Sequence, residues 1–124
     1  MSDGMISAIL IVGDDPMLLQ TRAELLREWQ VSTSTSQRAF QAVQAAAYNL
    51  LIICQTVSDT VAGQLIDKAR QMNPYVLTLA FSQVDQERKL NAELFEVRLS
   101  DPGRLRRVVT DLLQQAAPDE QAWG

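Results

Sequence analysis

Histidine is absent from this 124-residue sequence. That excludes dyads and triads with a His base, His-ligated metals and any role as a histidine phosphodonor. A single cysteine, Cys54, leaves no internal disulfide, no Cys-x-x-Cys pair and no cysteine zinc site. No apolar run approaches the roughly 20 residues of a membrane span. There is no basic excess: the net charge is −4, which argues against a nucleic-acid footprint. Neither a Gly-x-Gly-x-x-Gly nor a Walker loop occurs, so no nucleotide is indicated and no cofactor is expected. The opening Met1-Ser2-Asp3-Gly4 lacks the basic start of a signal peptide, and the expectation is a cytoplasmic protein with no membrane association. What remains is 47 % apolar and 21 % charged, the profile of one globular domain.

Apolar runs alternate with amphipathic ones. Ile6 to Val12, unbroken from Ala8, suits a strand buried on both faces. Gly13-Asp14-Asp15-Pro16 ends it, with Asp15 as N-cap and Pro16 at the first helical position. Leu18, Leu19, Ala23, Leu25, Leu26 and Trp29 then recur at helical spacing, and Arg22, Glu24, Arg27 and Glu28 are assigned to the opposite face. Val31 to Thr35 is a weak, barely apolar strand suited to an edge. Ser36 is expected to cap a second helix that buries Ala39, Phe40, Val43 and Ala46 or Ala47. Leu50 to Cys54 is the clearest strand. Ser58 caps a helix carrying Val61, Leu65, Ile66, Ala69 and Met72, which Asn73-Pro74 stops. Tyr75 to Phe81 reads as a fourth strand, residues 82–93 as a polar fourth helix and Leu94 to Leu99 as a short fifth strand. Asp101-Pro102 opens a last helix with Leu105, Val108, Val109, Leu112 and Leu113 on one face. The order is (βα)5, an α/β doubly wound five-stranded parallel sheet in three α/β/α layers. Residues 1–116 form the domain and 117–124 a C-terminal tail or linker, with Trp123 as its candidate anchor. In such sheets the chemistry sits beyond the carboxyl ends of the strands.

Those ends carry a resemblance. Ile9-Leu10-Ile11-Val12-Gly13-Asp14-Asp15-Pro16, Asn49 to Cys54, and Arg98-Leu99-Ser100-Asp101-Pro102 resemble the response-regulator receiver domains of two-component signalling, with Gly63 and Phe95 in keeping. The likeness spans about Ile6 to Gln115 and implies a flavodoxin-like, CheY-like fold. It also implies five site positions. Two acidic residues after the first strand would hold Mg²⁺ with an acceptor Asp ending the third; a Ser or Thr ends the fourth strand and a Lys the fifth. Here the first acidic position is Gly13 and the second Asp14, with Asp15 beside it. The acceptor position is Cys54, the hydroxyl position Ala80 and the Lys position Arg98. Thr78 and Ser82 flank Ala80, so a shifted register would restore a hydroxyl.

Mg²⁺ requires near-octahedral oxygen ligation, and a thiol suits it poorly. Asp14 is the one weak metal candidate. The expectation is a degenerate pseudo-receiver, not an enzyme, that acts in phosphorelay signal transduction through protein contacts: a protein partner, a fused output domain or a homodimer. Arg88, Phe95, Arg104 and Arg107 are the candidate contact surface, as implied by the family's use of its last helices. Arg98 is a candidate salt-bridge partner of Asp14. The rival readings are a phospho-regulated receiver with an acceptor such as Asp14, Asp15 or Asp59 and Mg²⁺, and a thiol sensor at Cys54. A weaker one is a small molecule in an apolar cup between Cys54 and Ala80.

Overall fold

Strand β1 (Ala8–Val12) sits at the heart of the molecule because every residue from Ile9 to Val12 is fully buried, which requires cover on both faces. The computed structural model describes residues 8–82, 94–97 and 102–115. Along them run α1 (Pro16–Leu25), β2 (Gln30–Ser34), α2 (Ala39–Ala45), β3 (Leu50–Ile53), α3 (Asp59–Met72), β4 (Leu77–Ser82), β5 (Leu94–Val97) and α4 (Pro102–Gln115). The five strands form one parallel sheet in the order β2-β1-β3-β4-β5. β2, polar and partly exposed, is an edge strand as its composition predicts. The expected fourth helix and the tail with Trp123 lie outside the described residues.

The period-2 alternation of the strands divides the interior into two cores. Ile9, Ile11, Leu50, Ile52, Leu79 and Phe81 face Leu19 and Leu26 of the α1 segment and Leu105, Val108, Val109 and Leu112 of α4. Leu10, Val12, Leu51 and Ile53 face Ala39 and Val43 of α2 and Ala62, Leu65, Ile66 and Ala69 of α3. Helices therefore cover both faces of the sheet.

Local signals set most boundaries. Asp15 caps α1 by accepting from the backbone N–H groups of Met17 and Leu18, and Pro16 is its first residue. Ser58 caps α3 by accepting from Val61. Three expectations fail. The residue preceding α2 is Arg38, with no side-chain cap, because Ser36 is turned toward Asp14 instead. α2 stops at Ala45 and leaves Phe40, Ala46 and Ala47 exposed, so its buried stripe is only Ala39 and Val43. Met72 and Tyr75 are exposed at the end of α3 and before β4.

Candidate functional site

Three loops meet at the carboxyl edge of the central strands. The parallel ladder extends one residue beyond β1 and β3: Gly13 N donates to Ser34 O at 3.0 Å, and Cys54 N to Val12 O at 2.9 Å. Asp14 then joins the loops. Its backbone N–H donates to Thr56 Oγ1 at 2.9 Å, and its carboxylate accepts from the Ser36 backbone N–H at 2.9 Å and the Ser36 hydroxyl at 2.8 Å. The β1–α1, β2–α2 and β3–α3 connections are thereby tied by one residue. Asp15 is committed to its helix cap.

Cys54 follows β3 and is buried, 1 % exposed. It belongs to the α1/α4 core, on the same side of the sheet as Phe81. A Cβ on Gly13 would stand 3.0 Å from both Cβ and Sγ of Cys54, so bare backbone is what permits this approach. Ala80 is fully buried and pairs with Ile53. Cys54 and Ala80 are both closed to solvent, so among the described residues no open cup is formed between them. A groove of about 560 Å³ lies instead between α1 and β2, lined in part by Leu19, Ala23, Trp29 and Val31.

The residue that defines this site is one the sequence reading placed on the outer face. Arg22 of α1 is 6 % exposed. Its Nη1 donates to Cys54 Sγ at 2.9 Å and to Gln55 Oε1 at 3.4 Å, and its guanidinium carbon lies 4.0 Å from the Phe81 ring centroid. That is cation–π distance, and the attraction strengthens once water is removed. Among the described residues no carboxylate forms an ion pair with it. Spacing carries the missed signal: Arg22 is three residues after Leu19 and four before Leu26, both buried, so it shares their stripe. The roles of Thr56 and Ser36 were missed as well and depend on loop geometry, whereas Phe81 shares the face of Leu79 by strand alternation.

Burial pushes the Cys54 thiol up from its ordinary value, and the neighbouring Arg22 only partly opposes this. The thiol is therefore protonated near neutral pH and closed to solvent, a poor nucleophile on both counts. Mg²⁺ does not fit this set of side chains. Gly13 offers no side-chain oxygen, the Asp14 carboxylate is held by Ser36, position 54 presents a soft sulfur, and a cationic group already touches it. Among the described residues no three His, Cys, Asp or Glu side chains gather to hold a metal ion.

The expected contact surface is only partly visible. Arg104 and Arg107 are exposed on α4, and between them Arg106 pairs with Glu28. The backbone of Phe95 pairs with Ala80 in the β4–β5 ladder. Arg88 and Arg98, and with Arg98 the expected bridge to Asp14, lie outside the described residues. Among the described residues no helix is long and apolar enough to cross a membrane.

No protein-family model matches the chain, and no curated protein matches it in sequence. Solved structures do match. A signal receiver domain from Vibrio parahaemolyticus superposes with a TM-score of 0.77 at 17 % identity, covering 97 % of this chain and 99 % of that one. The fold is that of response-regulator receiver domains. A CheY-like receiver domain from Methanospirillum hungatei agrees, with a TM-score of 0.76 at 17 % identity over 92 % of this chain and 98 % of that one. NtrX from Brucella abortus matches 95 % of this chain with only 28 % of its own length, with a TM-score of 0.73 at 19 % identity. The receiver fold there is a minor part of a longer chain.

Proposed function

We propose that this chain is a receiver-type module of two-component signalling that acts by binding a protein partner and takes no phosphoryl group. In this reading it is a pseudo-receiver and not an enzyme. One observation carries it: at the acceptor position stands a buried thiol hydrogen-bonded to a guanidinium, while the described carboxylates beside it, Asp14 and Asp15, are engaged by Ser36 and by the start of α1. Nucleophilic catalysis needs an activated, reachable nucleophile, and Cys54 is neither. The partner is another protein or an output domain on the same chain. The presence of the receiver fold as a fraction of NtrX supports that second arrangement.

The test is incubation with acetyl phosphate and Mg²⁺, read by intact mass. No covalent adduct is expected. An added phosphoryl group mapped to Asp14, Asp15 or Asp59 would overturn the reading.

A further inference from the structure

Resting on the reading above, we propose that the guanidinium of Arg22 is the resident cation of this pocket. It stands beside position 54 where a divalent ion would be expected in a receiver domain, and it joins the end of β3 to Phe81 of β4 in a way that no divalent cation alters.

The pocket has exchanged its charges as a set. Position 13 carries no side chain, and Cys54 crowds the space a Cβ would take. Asp14 has turned outward to Ser36 and Asp15 to the start of α1. Into the interior comes a cation on a tether, seven residues after the cap of its own helix. Gln55, the Cys54 sulfur and the Phe81 ring face receive it, all three uncharged. Such a cradle stabilises a positive charge without neutralising it, so a divalent ion approaching position 54 meets like-charge repulsion in a poorly solvated site. Being covalently tethered, the guanidinium cannot dissociate, and its occupancy does not depend on ion concentration. A carboxylate restored at position 54 would be captured by Arg22 in a charge-assisted hydrogen bond and would not recruit a metal.

The experiment uses Mn²⁺ as a paramagnetic probe on the full chain, followed by amide NMR at Asp14, Gln55 and residue 54. Wild type and C54D are expected to show no saturable, site-localised broadening at millimolar Mn²⁺. C54D/R22M is expected to gain it. Saturable broadening in wild type or C54D would overturn the proposal, as would a C54D/R22M spectrum as unresponsive as that of C54D. Should the double variant fail to fold, the wild-type Arg22 Nε–H signal decides. A resonance shifted by the Phe81 ring current and slow to exchange supports the resident cation; an ordinary, rapidly exchanging signal overturns it. Failure of the proposed function is read separately, as a phosphoryl mass increase, so each idea can fall without the other.

Discussion

Gly13 and Cys54 approach so closely that a methyl group on the first would stand 3.0 Å from two side-chain atoms of the second. Cys54 directly follows a buried strand and is itself buried, so it cannot easily yield. G13A is therefore expected to destabilise the fold by about 1–3 kcal/mol, the usual cost of overpacking. Urea unfolding checks it. A gain of about 0.4–1 kcal/mol, as Gly→Ala gives where the site has room, would show that the approach is looser than the structure has it.

Arg22 can be divided into volume and charge. R22A removes the stem and the contact with Phe81, and a loss of about 2–4 kcal/mol is expected from the cavity alone. R22M keeps most of the volume and discards a buried charge that has no carboxylate partner among the described residues. Replacing buried ionic groups by apolar ones of similar size is often neutral or stabilising, so R22M should fall within about 1 kcal/mol of wild type or above it. Denaturation midpoints of the two variants decide. Equal large losses in both would mean that the charge itself stabilises the fold.

The raised Cys54 pKa sets an alkaline limit. In the unfolded chain the thiol ionises above about pH 8.5, whereas the folded chain retains its proton. The unfolded state then binds fewer protons, and stability falls as pH rises past that point. This contribution is complete below the unfolded value and is lost through the folded one. Stability measured from pH 7 to 10.5 should decline for wild type more steeply than for C54S. Parallel curves would assign the decline to other groups. Iodoacetamide should leave the native thiol unmodified and label it in urea.

Asp14 and Ser36 join two loops at the exposed rim. S36A is expected to cost about 0.5–1.5 kcal/mol, the ordinary net worth of a side-chain hydrogen bond. In a double-mutant cycle with D14A the losses should fail to add, because either change breaks the same contact. Additive losses would show that the two residues act independently.

The strands were legible because their apolar runs are continuous, and continuity means burial on both faces. β1 and β3 announce themselves this way, and β2 announces its edge by lacking it. The caps at Asp15 and Ser58 were legible too, since each needs only a side-chain oxygen before a helical stripe. The assignment of Gly13 and Cys54 to positions of the receiver pattern came from a resemblance and not from periodicity. Arg22 was not legible while charge was taken as a sign of exposure, although its spacing from Leu19 and Leu26 put it inward. Ser36 misled for a related reason. It has the chemistry of a helix cap, but a carboxylate 22 positions earlier in the chain binds it instead. Local propensity does not record a competitor that arrives only on folding.

The layering of the interior reaches the rim. Of the described positions carried over from the receiver pattern, Gly13, Cys54 and Ala80 are buried, and Asp14 and Asp15 are not. A change at position 13, 54 or 80 therefore registers first in the packing between sheet and helices, whereas one at Asp14 or Asp15 registers first in the loops at the surface.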